Sequence, residues 1–137
     1  MTISVETEGR GALVVKIVGA ASAAAGGQGA LANPEGKILM VTKATLHVKT
    51  PSTGAANIDI GIGAAAATDA VDIINALAMN GAITGKVYNG HAPQVTAKTE
   101  ITGPIPWTTT GFLCITGSAS MVGFEGYLFV EYFRLPA

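Results

Sequence analysis

Few side chains in this 137-residue chain could do acid–base or metal chemistry: two histidines, His47 and His91, nine carboxylates and one cysteine, Cys114. His47 lies on the polar side of an alternating run with Thr45 and Lys49, and His91 follows the Asn89-Gly90 turn pair. A Ser–His–Asp triad could in principle be assembled from distant positions, but no G-x-S-x-G elbow or other nucleophile context is present. A metal needs ligands that converge at defined spacing, and His47, His91, Asp59, Asp69 and Asp72 show none. Asp69 and Asp72 read most simply as a helix cap and a carboxylate in the favourable field of the first turn. Glu6 and Glu8 fall on one face of a strand-like segment, where charge discourages stray strand pairing.

Two phosphate-binding patterns fail on mechanism. Gly27-Gln28-Gly29-Ala30-Leu31-Ala32 fits G-x-G-x-x-A. That fingerprint works by setting pyrophosphate on a helix N-terminus, and Pro34 disfavours a helix here. Gly85-Lys86 ends like a P-loop, but Val87 stands where a magnesium-binding hydroxyl is needed. The expectation is a protein that is not an enzyme, with no catalytic, cofactor-binding or metal-ligating residue.

Candidate contact residues remain. Trp107, the only tryptophan, sits in a Pro-flanked segment ahead of three threonines. It is either a plug for one end of a core or an anchor for a partner or a sugar ring, and the plug carries more weight because tryptophan is mostly buried. Tyr88 and His91 flank a turn, and Ile3 and Val5 alternate along the N-terminal segment. Ile3, Val5, Tyr88, His91 and Trp107 are the expected partner contacts.

The bulk composition agrees with a contact role. Charged residues make up 12% of the chain against 49% hydrophobic, with a net charge of −1. Charge that sparse, about half the usual share, favours a weakly polar contact face. No basic run marks a nucleic-acid or anionic-lipid footprint, so neither partner is expected. A lone cysteine cannot form an internal disulfide, and in Phe112-Leu113-Cys114-Ile115 it reads as a small buried hydrophobe. The apolar run 13–18 is broken by Lys16 and preceded by acids, so it reads as a strand and not as an export leader. The expectation is synthesis in the cytoplasm.

What must position these residues is a set of strands. Alternation marks 2–7, 13–18, 38–50, 57–62, 86–88, 94–101, 111–116 and 127–135. Segment 20–36, rich in Ala and Gly, reads as a long loop closed by the turn Asn33-Pro34-Glu35-Gly36, and 103–107 as a further loop. Runs 38–50 and 57–62 each have one polar face and are expected to pair as an antiparallel hairpin across the Pro51 turn. Val71, Ile74 and Leu77 recur at helical spacing before Asn80-Gly81, which predicts a short helix over about 69–79. The expected fold is all-β, an antiparallel β-sandwich or jelly roll formed by residues 1–137 as one domain, with 1–11 as an N-terminal arm or exchanged strand.

A resemblance adds a function. The stretch Gly26-Gly27-Gln28-Gly29-Ala30-Leu31-Ala32-Asn33-Pro34-Glu35-Gly36, the strand from Ile38-Leu39-Met40-Val41 to Val48-Lys49-Thr50, the run Ala56-Asn57-Ile58-Asp59-Ile60-Gly61-Ile62 and the closing Gly123-Phe124-Glu125-Gly126-Tyr127-Leu128-Phe129-Val130-Glu131-Tyr132 resemble a family of head decoration (capsid cement) proteins of tailed bacteriophages and prophages. The likeness runs from about Ala24 onward. It implies a jelly-roll body bound to the major capsid protein on the outside of the virion, self-associated as a dimer or trimer. The alternative expectation is a carbohydrate-binding jelly-roll module, such as a fibre domain, using Trp107, Tyr88 and His91.

Overall fold

Alternating burial builds the molecule. In the computed structural model, which describes residues 1–4, 9–81, 83–89 and 104–136, nine strands follow the period-two pattern of the sequence. They are β1 (Arg10–Val18), β2 (Gly29–Ala32), β3 (Leu39–Thr50), β4 (Asn57–Gly63), β5 (Ile74–Ala78), β6 (Val87–Asn89), β7 (Ile105–Trp107), β8 (Phe112–Gly117) and β9 (Glu125–Arg134).

One sheet has the order β1-β9-β3-β6, with β7 also on β3, and the other has the order β2-β8-β4-β5. The pairings of these strands are antiparallel: β1 with β9, β2 with β8, β3 with β6, β7 and β9, and β4 with β5 and β8. The chain is thus a long antiparallel ribbon, first half against second half, wound over two facing sheets, which is the jelly-roll arrangement. Leu46, Val48, Leu128 and Val130 project inward from the first sheet and Ile58, Ile60, Leu113 and Ile115 from the second, and they meet in one buried cluster.

The winding overturns the expected hairpin. β3 and β4 are consecutive and each buries one face, but they lie in opposite sheets and bury those faces toward each other. The connection between them is fastened to both sides: Ser52 N donates to Met79 O at 2.7 Å, and Thr53 N to Val122 O at 3.0 Å. One-sided alternation is common to hairpins and to facing sandwich strands, so it could not tell them apart.

The expected helix over 69–79 is also absent, and β5 occupies its second half. Ile60 pairs with Ile74 and Ile58 with Leu77, so β5 spends one residue more than β4 over the same span. That bulge brings residues three apart onto the same buried face, which reproduces helical spacing in a strand. The extra residue is absorbed at Ala76, whose φ is 50°, and Asp59 Oδ1 accepts a hydrogen bond from Ala76 N at 2.5 Å. Asp72 caps no helix. Its Oδ1 accepts from Ile62 N at 2.8 Å, and partial burial against β4 pushes its carboxyl above the usual range despite that bond.

Segment 20–36 is not a loose loop. It contains β2, and it is held by the buried Gln28 side chain, whose Oε1 accepts from Ala20 N at 2.7 Å and whose Nε2 donates to Ala20 O at 3.0 Å and Ser22 O at 2.6 Å. The turn predicted at Asn33–Gly36 forms as expected. Asn33 Oδ1 accepts from Glu35 N and Gly36 N, and Gly36 takes the left-handed φ of 66° that the turn needs. The expected loop at 103–107 carries β7 instead. The strand expected over 94–101 lies outside the described residues. So do Val5, Glu6, Glu8 and His91.

Candidate contact surface on the outer sheet

Trp107 is 0% exposed, and its indole N–H donates to Gly111 O at 3.0 Å. It plugs the end of the core, so the expectation that it touches a partner or a sugar is corrected by burial. Asn33 fastens that end by donating its amide to Trp107 O and Thr108 O. Tyr88 is half-buried and packs against the core. Ile3 is exposed, and Met1–Ser4 has no strand pairing, whereas Arg10 and Gly11, placed in the arm by sequence, open β1. The structure therefore does not gather Ile3, Trp107 and Tyr88 into a site. Cys114 is buried, with its Sγ 3.3 Å from Ala65 O. Among the described residues no group of three or more His, Cys, Asp or Glu side chains could hold a metal ion.

A different surface stands out. On the outer face of β1, β9 and β3 the pleat presents Val14 at 59% exposure, Val18 at 62%, and Phe129 and Phe133 at 44% each. Register places them in rows: Val14 beside Phe129 beside Thr45, and Arg10 beside Phe133 beside Met40. A third row sets Lys16 beside Tyr127 beside His47, with Val87 of β6 at its end. Exposed apolar side chains gathered on one sheet face make it the candidate contact surface.

Six charged side chains share this face: Arg10, Lys16, Lys43, Lys49, Glu125 and Glu131. Glu125 sits between Lys16 and Lys49, at 3.2 and 3.3 Å, and hydrogen bonds from the two ammonium groups hold its carboxyl below the usual range. Near the bulge of β3, where Val41/Lys43 shifts register, a groove of about 480 Å³ is lined by Arg10, Ala12, Thr42, Lys43, Glu131 and Phe133 among others. The Arg10 guanidinium stands 6.0 Å over the Phe133 ring.

Behind the groove, Tyr132 and Arg134 both bind Glu35 of the β2–β3 turn, Arg134 Nε at 2.5 Å and Tyr132 through its hydroxyl. The Arg134 hydrogen bond, then that of Tyr132, lowers the Glu35 carboxyl; burial first, and the Glu35 bond second, raise the Tyr132 phenol. The cluster ties the turn to β9 and is structural.

The sequence carried a signal for this face. In Tyr127-Leu128-Phe129-Val130-Glu131-Tyr132-Phe133 and Leu13-Val14-Val15-Lys16-Ile17-Val18 apolar residues stand at both alternating positions, interrupted on one face by Glu131 and Lys16. A sandwich strand with one wet face commonly shows a polar residue at every second place, so apolar residues on both faces set β1 and β9 apart. No family model matches the chain, and no curated protein or solved structure matches it either.

Proposed function

We propose that this is a non-catalytic structural protein that binds the outside of a tailed-phage head, through the major capsid protein, and stabilises the assembled lattice. The observation that carries this reading is the outer face of β1, β9 and β3, where Val14, Val18, Phe129 and Phe133 lie open to solvent among charged side chains. The resemblance of the β2–β3 turn, β3, β4 and β9 to decoration proteins supplies the identity of the lattice. A jelly roll fits this role because its sheets are rigid and one outer face can be flat. Binding only the assembled lattice adds its free energy to that state, and many copies turn modest contacts into strong retention.

The test is co-sedimentation of the purified protein with emptied heads of a tailed phage encoding it, followed by heat challenge of the heads. Binding, with heads that survive to higher temperature, supports the proposal, and loss of both on Phe129→Asp assigns the face. Heads that neither bind the protein nor gain stability sink it.

A second reading, a carbohydrate-binding module, is favoured by the Arg10–Glu131–Phe133 groove, which combines an aromatic ring with charged hydrogen-bonding groups. Glycan-array binding lost on Phe133→Ala would support it, and a blank array would remove it.

A further inference from the structure

Sheet edges separate β1 from every other terminal strand among the described residues. β2 has four residues, β6 and β7 three each, β7 with Pro106 at its centre, and β5 carries the bulge at Ala76. Short length, proline, bulges and charge are the usual protections against edge-to-edge pairing. β1 has nine residues in unbroken register with β9, and of the usual protections it carries only charge, at Arg10 and Lys16.

The ladder fixes which of its backbone groups are left over. Gly9 O accepts from Arg134 N, and Gly19 N donates to Phe124 O, so the odd-numbered residues face β9. In an antiparallel pair the intervening residues point their N–H and C=O the other way. Ala12, Val14, Lys16 and Val18 therefore direct donors and acceptors outward, and no other described strand pairs with them. Arg10 does the same, but Arg134 already donates to its carbonyl.

We propose that β1 pairs with β1 of a second copy of this chain, antiparallel about a twofold axis at Val14, joining the two outer sheets into one. The hydrogen-bonding parity admits only registers that pair even-numbered residues with even-numbered ones. Centring on Lys16 would set two ammonium groups opposite each other. Centring on Val14 pairs Val14 with its own copy and Ala12 with Lys16, and gives an unbroken apolar row Phe129–Val14–Val14–Phe129 across the axis. It also sets Lys16 one strand away from Glu131 of the other copy, because Glu131 neighbours Ala12, and Arg10 one strand away from Glu125, because Glu125 neighbours Val18.

The inner side is complementary as well. Between the β1 and β2 edges an apolar cleft of about 230 Å³ opens over Val15, Ile17, Leu31, Leu113 and Ile115. In this register Leu13 of the second copy lies beside Val15 at the mouth of the cleft. Symmetric, self-complementary contacts of this type are the usual route to dimers. The proposal is independent of the capsid reading.

Sedimentation velocity over a wide concentration range tests it. The expected species has twice the 13.8 kDa chain mass, and Val14→Lys, which sets like charges across the axis at a solvent-exposed position, returns it to a monomer that keeps the wild-type circular dichroism spectrum. A second variant keeps the test sharp if Val14→Lys folds poorly. Under mild oxidation Val14→Cys should cross-link to a dimer, because residues facing each other in such a pair stand about 5.5 Å apart at Cα, within disulfide reach. Val18→Cys, which faces Arg10, should not. A wild-type monomer at every concentration overturns the proposal, as does a dimer untouched by Val14→Lys or a Val18→Cys variant that cross-links as fast as Val14→Cys.

Discussion

β9 carries two rows of similar side chains with opposite fates. Leu128, Val130 and Tyr132 face inward and are buried, while Tyr127, Phe129 and Phe133 face outward over the same backbone and stay partly open. Aromatic residues stand in both rows and the pleat decides which are covered, while the outer row also carries Glu125 and Glu131. The inner row is closed by β4, β8 and the Trp107 plug, all from this chain. The outer row has no layer over it among the described residues, and it is the row to which the proposed function assigns a partner. One strand thus serves the fold on one side and, in the proposed function, an assembly on the other, and substitutions should separate the two roles.

The largest effect should come from the inner side. Trp107→Ala empties a fully buried site and removes the indole donor to Gly111 O. The expected cost is about 3–5 kcal/mol of unfolding free energy, read from urea titration monitored by circular dichroism. A loss under about 1 kcal/mol would mean that Trp107 is not a closed plug, and the division between the two faces would weaken.

Gln28→Leu should cost less, about 2–3 kcal/mol, because it leaves Ala20 N and the carbonyls of Ala20 and Ser22 without their side-chain partner. This position tests whether the segment before β2 is part of the scaffold. A neutral result in the same titration would return 20–28 to the status of a passive loop.

How much of this was legible in the sequence follows from which forces act locally. The strands β1, β3, β4, β8 and β9 and the turn at Asn33–Gly36 could be read because alternation, asparagine and glycine act within a few residues. Which sheet each strand joins could not, because β3 and β4 look alike whether they pair or face each other. Ile74 and Leu77 misled for a physical reason: a bulge stabilised by Asp59 gives a strand the spacing of a helix turn. Gln28 looked like part of a glycine fingerprint because its partners, Ala20 and Ser22, are reached only after the chain turns back. The exposed apolar residues of the outer face were legible in the sequence of β1 and β9. Their pattern was harder to use than single residues such as Trp107, because it needs the pleat to assign the faces.

The Glu35–Tyr132–Arg134 cluster should make stability depend on pH at both ends of the range. Glu35 has a folded pKa below its unfolded value of about 4.3, so its contribution is complete above that pH and is lost as pH falls through the folded value. Tyr132 is shifted upward, so its contribution is complete below about pH 10 and fades as pH rises through its folded value. Melting temperature should therefore be flat between these limits as far as this cluster decides it. Glu35→Gln should flatten the acid decline, and an unchanged acid decline would show that the turn is held by Asn33 alone.

The smallest change in stability should accompany Phe129→Ala. Phe129 is 44% exposed, and its cross-strand neighbours on the outer face are Val14 and Thr45. Cross-strand pairs of this kind contribute about 0.2–1 kcal/mol, so the urea midpoint should move little. Retention on phage heads should fall at least about tenfold if the ring is an anchor, since aromatic anchors commonly carry more than 1.4 kcal/mol of a contact. Stability nearly intact with binding lost is the signature of a side chain that serves the assembly. Both intact would mean that the exposed row is only the sheet's solvent side. A loss of several kcal/mol in folding would mean that the outer row already belongs to a buried layer, which a β1–β1 pairing brings about only at its edge.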